Sequence, residues 1–439
     1  MLPFNQVIMF KKNKKSVFRI LNILIQLFFR KYPSVFFIMK WLFITAIIGV
    51  LIGCASAFFL QTLEWATQFR ENHLWIIVFL PLAGFLVGLL YYYFGKDVEA
   101  GNNLLLESIK EPAKTIPFKM APMVYLGTII THFFGGSAGR EGTALQMAAA
   151  IADQFSKPLK LSGEDRRILI ISAIAAGFGS VFGTPFAGAI FGLEVSLTGK
   201  IKYKALFPAI SASIIADLIT KSLNTHHTEY IISFVPSISF LNIVYAVIAG
   251  LFFGVCAASF SKTIHKTGDF FKSKISYAPL RPLIGGIIVL LSVWLMGTTK
   301  YLGLGIPTIL DSFSQQLPAY DFALKAIITI ITLASGFKGG EVTPLFFIGA
   351  TLGNALGYFI PLPLALLAGM GFVAVFAGAT NTPIACSIMA LELFGIECGV
   401  YVVIACVVSY FFSGQNSIYK SQIIGKPKNK RYWKREEYL

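Results

Sequence analysis

Long apolar runs alternate along this chain with short ones that stop at glycine, proline or charge. The runs at 35–60, 75–94, 241–260 and 280–296 approach or exceed the roughly 20 apolar residues that a helix needs to cross a bilayer. Those at 120–134, 143–151, 342–352 and 384–394 are shorter and bounded by breakers, and they predict helices that end partway through the membrane. A broken helix leaves amides and carbonyls unpaired at depth, which is tolerated only where protein or a polar pathway surrounds them. The breaks are therefore where function is to be sought.

Composition sharpens this to a class. Of 439 residues, 56% are hydrophobic and only 13% charged, with a mean hydropathy of +0.71, so the chain is too apolar for a water-soluble domain. An all-α integral membrane protein follows, with no enzymatic activity, cofactor or metal expected. Basic residues crowd both ends, from Lys11, Lys12, Lys14 and Lys15 to Lys426, Lys428, Lys430, Arg431, Lys434 and Arg435, which places both termini on the cytoplasmic side of a cell (inner) membrane. The net charge of +16 suits anionic lipid headgroups, and no aromatic-interleaved basic platform points to nucleic acid. Residues 17–29 predict a helix lying along the interface; a signal peptide would need a small-residue cleavage site that does not follow. Cys54, Cys256, Cys386, Cys398 and Cys406 form no Cys-x-x-Cys pair, and the adjacent His226 and His227 lack the spacing to share a metal.

The chain repeats itself. Gly139-Arg140-Glu141-Gly142-Thr143 returns as Gly339-Gly340-Glu341-Val342-Thr343, and Pro185 followed by Glu194 returns as Pro383 followed by Glu392. In a hydrophobic chain, such a duplication signals a transporter or channel built from two related halves. A carboxylate at mid-membrane costs at least ~2.5 kcal/mol, so Glu141 and Glu341 call for a reason. One reading is a helix cap, in which free amides and the dipole stabilise the carboxylate. The functional reading uses the same geometry: a helix N-terminus that holds a carboxylate also holds a small anion, so the two compete. Protonation of Glu141, at the start of a helix beginning near Thr143, would release it and admit the anion, coupling proton to anion movement. Glu194 and Glu392 read either as partners of backbone groups or as relay acids.

A reading from a different class rests on Gly135-Gly136-Ser137-Ala138-Gly139, which fits the nucleophile elbow of serine hydrolases. His132, the nearest base, lies on the same short segment, and glycines that let helix ends approach explain the string more simply.

Gly139-Arg140-Glu141-Gly142 resembles the Gly-Arg-Glu-Gly-Pro signature of the CLC family of chloride channels and proton-coupled anion antiporters. Gly339-Gly340-Glu341-Val342-Thr343-Pro344 falls where that family has Gly-x-Phe-x-Pro. Ala175-Ala176-Gly177-Phe178 through Pro185 to Glu194 is similar to its next helix pair, and Ser413 to Tyr419 resembles its final helix, which carries an ion-binding tyrosine. The likeness runs from about Val35 to Tyr419. Departures are equally informative: Gly101-Asn102-Asn103-Leu104-Leu105 replaces Gly-Ser-Gly-Ile-Pro, Thr143 replaces the signature proline, Val342 replaces the phenylalanine, Glu341 is an added acid, and Val195 stands where chloride/proton antiporters carry an inner relay glutamate. These changes resemble the fluoride-exporting branch.

The resemblance implies a CLC-type fold of two inverted-topology repeats with many tilted and broken helices, a homodimer with one pathway per subunit, and fluoride/proton antiport. The expected layout is an interfacial segment 1–34, repeats at 35–220 and 235–420 joined by loop 221–234, and a tail 421–439 too short for nucleotide-binding regulatory domains. Glu141 would be gate and proton carrier, Glu341 the second acid, with Asn102, Asn103, Gly142, Val342, Thr343 and Tyr419 meeting the anion. Fluoride is small and strongly hydrated, so compact amide donors suit it better than an apolar-walled pocket. Alternatives are a chloride- or other-anion-selective exchanger or a passive channel. Arg140 and Lys338 read either as anchors or as attractors of the incoming anion, and Tyr301 to Pro307 reads as the second half's answer to the Gly101 loop.

Overall fold

A computed structural model describes residues 31–111, 115–198, 202–424 and 428. The expected interfacial helix at 17–29, and 425–427 and 429–439 of the tail, lie outside the described residues. In chain order the α-helices are α1 (Pro33–Asn72), α2 (Leu80–Phe94), α3 (Asn102–Lys110), α4 (Met120–Phe133), α5 (Glu141–Asp153), α6 (Gly163–Phe182), α7 (Pro185–Ser196) and α8 (Leu206–Ser222). They continue with α9 (Phe240–Lys274), α10 (Leu280–Met296), α11 (Ile306–Ser314), α12 (Asp321–Ala334), α13 (Val342–Leu356), α14 (Leu364–Thr380), α15 (Pro383–Phe394) and α16 (Gly399–Phe412).

The second eight helices repeat the first eight. Helices α3 and α11 each have 9 residues, α4 and α12 each 14, and α7 and α15 each 12. Glycine starts the matching short helices in both halves: Gly101 (φ 59°) caps α3 and Gly305 (φ 75°) caps α11. The halves meet head-on at an antiparallel bridge in which Gly139 N donates to Gly340 O at 2.6 Å and Gly340 N to Gly139 O at 2.8 Å, as two halves of inverted topology require. The same reciprocity joins α7 to α15. Glu194 accepts from the amides of Ile384 and Ala385 at 3.2 and 2.8 Å, and Glu392 accepts from those of Phe186 and Ala187 at 3.0 and 2.7 Å. Each half thus satisfies the orphan amides of the other's helix N-terminus.

Among the described residues, four helical units are long and apolar enough to cross a bilayer: α1, the Leu74–Phe94 unit formed by a 3-10 turn and α2, Tyr203–Ser222, and α9. The run at 280–296 forms one helix but, at 17 residues, falls short of that set, while Tyr203–Ser222 joins it. Helix α1 has 40 residues, about 60 Å at 1.5 Å per residue, roughly twice a bilayer core. The short helices α5, α6, α13 and α14 form the buried centre, ringed by exposed apolar side chains such as Phe43, Trp294 and Phe411.

Glycine spacing explains how α13 and α14 come so close. A Cβ on Gly349 would lie 2.0 Å from Gly371 O, and one on Gly353 would lie 2.0 Å from Leu367 O. The all-α class has one exception, a two-residue parallel pairing of Leu197–Thr198 with Ile423–Ile424. The expected final helix around Tyr419 is corrected as well. Residues 413–419 form no regular helix, because Gly414 takes φ 71° and the Ser-Gly-Gln-Asn-Ser sequence favours turns. Tyr419 is instead held by its neighbour Ile418, whose amide donates to Ala379 O on α14 at 2.9 Å.

Candidate functional site

The N-termini of α5 and α13 face each other across the Gly139–Gly340 bridge. Their approach excludes side chains: a Cβ on Gly139 would lie 2.8 Å from Glu141 Oε2 and 2.9 Å from Gly340 O, and one on Gly142 would lie 3.0 Å from Gly340 Cα. Helix α5 begins at Glu141 itself, two residues before the Thr143 expected from sequence. Glu141 is fully buried. Its Oε2 accepts from Arg140 N and from Thr343 N, each at 3.1 Å, and its Oε1 accepts from the Thr343 hydroxyl. The carboxylate therefore caps the opposite half's helix rather than only its own. Arg140 Nε stands 3.7 Å from Glu141 Oε1, and Thr143, the counterpart of Thr343, pairs instead with Thr128 at 2.6 Å.

Glu341 occupies the N-cap position of α13 without capping it, and its Oε2 has no hydrogen-bond partner. It faces a neck of about 150 Å³ lined also by Gly101, Asn102, Asn103, Gln146 and Tyr419. The neck shares a wall with a vestibule of about 630 Å³, where Lys96, Lys272, Arg281 and Lys420 gather. Asn102 Nδ2 abuts Gly142, 2.9 Å from where a Cβ would stand, while Asn102 Oδ1 and the buried Tyr419 hydroxyl lack partners. Asn103 reaches the neck, but its Oδ1 accepts from Ser421 N at 3.0 Å, so its carbonyl is spent on holding the tail. Beyond Asn102 and Tyr419 a small apolar hollow is lined by Phe191 and Val195, and no acid stands at Val195's place.

The predicted site residues thus divide into two groups. Asn102, Asn103, Glu341 and Tyr419 line the neck; Glu141, Gly142, Val342 and Thr343 lie outside its lining. The Thr343 amide, expected to meet an anion, is taken by the Glu141 carboxylate. Sequence reasoning missed Tyr91, Glu99 and Gln146, which also line the neck. Gln146 carried a faint signal as the one amide side chain in an alanine-rich helix; Tyr91 and Glu99 carried none.

The two halves use matching positions differently. Lys325 holds, in α12, the position that Val124 holds in α4, and Val124 lines the first-half neck. The fully buried Lys325 ammonium donates to Tyr301 O at 3.0 Å and Gly303 O at 2.7 Å, tying down the second-half loop, which borders a cavity of about 230 Å³ of its own lined by Arg70, Lys300, Gly305, Ile306 and Pro307. At the hydrolase-like string, Ser137 Oγ pairs with Thr329 Oγ1 at 2.9 Å and its amide with Thr332 Oγ1 at 3.3 Å, so its partners are threonines and not the His132 ring.

The chain and its fold are matched by known proteins. The family model for the voltage gated chloride channel matches residues 83–414. The chain belongs to the voltage gated chloride channel (CLC) family. It is 49% identical over 401 residues to the "Chloride/fluoride channel protein" of Pseudomonas syringae pv. tomato, covering 90% of this chain and 89% of the relative. The crystal structure of a CLC-type fluoride/proton antiporter shares its fold with a TM-score of 0.86 and 35% identity, over 88% of this chain and 98% of that one. A slow cyanobacterial Cl−/H+ antiporter, 20% identical with a TM-score of 0.76 over 87% and 96% of the two chains, shares the CLC fold.

Proposed function

We propose that this CLC protein exports fluoride in exchange for protons. The observation that carries this reading is the Glu141 carboxylate, buried and bound to the amide and hydroxyl of Thr343 across the interface of the halves. An ionised carboxylate makes charge-assisted hydrogen bonds to such donors, and a protonated one makes much weaker ones. Protonation frees Glu141 to swing out, and an anion takes the vacated amides at the α13 N-terminus. Deprotonation returns the carboxylate and expels the ion. Glu341, with an oxygen unpartnered in the neck, is the second acid that passes the proton onward; Asn102 and Tyr419 receive the anion from the vestibule.

Fluoride is favoured over chloride because the donors are compact amides, a hydroxyl and an asparagine, and because two relatives, at 49% and 35% identity, carry fluoride in their names. The protein sits in the cell (inner) membrane with both termini cytoplasmic, supported by the cluster of Lys96, Lys272, Arg281 and Lys420 around the vestibule on the tail's side. Efflux from liposomes loaded with fluoride or chloride, with and without a proton gradient, tests the reading. Fluoride should leave faster, its efflux should accelerate with an inward proton gradient, and E141Q should abolish proton-driven uphill movement. Faster chloride efflux overturns the selectivity, and fluxes indifferent to protons leave a passive channel.

A further inference from the structure

One charged group in the neck has no part in the gate chemistry. Lys338 precedes Glu341 by three residues and lines both the neck and the vestibule. Its stem crosses α4 so closely that a Cβ on Gly127 would lie 2.9 Å from Lys338 Cβ and Cγ. Its ammonium stands 3.9 Å above the centre of the Tyr91 ring. A ring face offsets part of a cation's charge where water is scarce, but an ammonium carries three N–H donors and a ring meets only one of them. Among the described residues no carboxylate, carbonyl or hydroxyl accepts from Lys338, and Glu99, on the same wall, does not reach ion-pair distance. Of the lysines in the adjoining vestibule, Lys420 pairs with Asp269 at 2.9 Å and Lys96 lies over the Tyr92 ring.

The groups around Lys338 are unmet in the same sense. Among the described residues the Tyr419 hydroxyl, one Glu341 oxygen and the Asn102 carbonyl lack partners, and all three residues line this neck. Two unmet donors, an ammonium and a phenol, facing a space of about 150 Å³ describe a seat for a small anion. The ammonium is a compact point charge, suited to a monatomic ion, whereas a planar guanidinium fork matches carboxylates and phosphates. Glu341 and Glu99 on the same wall keep the seat shallow, and an ion that is to move on must be bound weakly enough to leave.

We propose that Lys338, braced on Tyr91, forms an inner fluoride subsite that binds the ion as it enters from the vestibule, before the Glu141 gate moves. This rests on the fluoride antiport reading. Lys338 sets how much fluoride is captured, not how protons are exchanged.

The test is fluoride efflux from liposomes against internal fluoride concentration, for the parent protein, K338M and K338R. Losing a charge-assisted donor should raise half-saturating fluoride about tenfold in K338M, with plateau turnover and proton-to-fluoride ratio nearly unchanged, and K338R, which keeps the charge but not the compact donor, should recover only part of the loss. A role confined to packing would lower the plateau and would not depend on charge. Unchanged half-saturation in K338M overturns the subsite. Should K338M aggregate on size exclusion, K338Q carries the same expectation. If the parent itself moves no fluoride, the antiport reading fails, and calorimetric titration with fluoride in detergent decides the subsite: equal binding by parent and K338M overturns it, and binding lost only in K338M supports it.

Discussion

The four buried or half-buried glutamates among the described residues are distinguished by the amides they accept from. Glu141 takes the Thr343 amide and hydroxyl, Glu341 keeps an oxygen unpartnered, and Glu194 and Glu392 each hold two amides of the opposite half. Sequence marked all four, because a carboxylate in an apolar run stands out, but it left Glu194 and Glu392 open between structural partner and relay. Geometry favours the structural role, since both oxygens of each are committed to backbone donors about 200 residues away. E194A and E392A should therefore each destabilise the protein by ~1–3 kcal/mol, the cost of leaving buried donors unsatisfied, read as a lower unfolding midpoint in detergent. The proton-to-fluoride ratio should stay at the parent value; a changed ratio at unchanged stability would make them relay acids.

At the scale of elements, short helices are positioned by glycines that permit contact rather than by length. The four-residue spacing of Gly349, Gly353 and Gly357 is common in membrane bundles and says little by itself. Its meaning comes from α14, whose carbonyls at Leu367 and Gly371 lie where side chains on Gly353 and Gly349 would be. G349A should accordingly cost ~1–3 kcal/mol or more through overpacking and lower transport by loosening α13, which carries Thr343. In G268A, on α9, the added methyl meets only Ala334 O at 3.9 Å, and the variant should gain ~0.5–1 kcal/mol from helix propensity. Thermal unfolding of the two variants side by side checks both signs. Helix breaks were readable from glycine and proline, and Gly414 marks one before Tyr419, but where that segment docks was not, because it is set by the Ile418 amide reaching Ala379 O.

For the whole molecule, the duplication yields two sets of helices whose matching positions serve different ends: Val124 lines the neck, while Lys325 ties down the carbonyls of Tyr301 and Gly303. The apolar exterior, with residues such as Trp294, Leu295 and Phe359 largely exposed, faces lipid or a second copy. A homodimer with a separate pathway in each subunit predicts a detergent-corrected mass of twice 48.1 kDa by light scattering. It further predicts that mixed dimers of parent and E141Q retain half the proton-driven flux of parent dimers; complete loss in the mixed dimers would mean coupled subunits.

Sequence alone determined the membrane class, the doubled architecture and the acids at its centre, because hydropathy, repeated strings and a costly mid-membrane charge are local properties of the chain. Tertiary structure alone decided which amides each acid meets, that Gly142, Val342 and Thr343 lie outside the neck, that Lys325 ties down the carbonyls of Tyr301 and Gly303, and that Lys338 and Tyr91 come together. Those outcomes depend on how inverted halves dock through contacts some 200 residues apart, and hydrogen bonds over that separation leave no periodic trace in the order of residues.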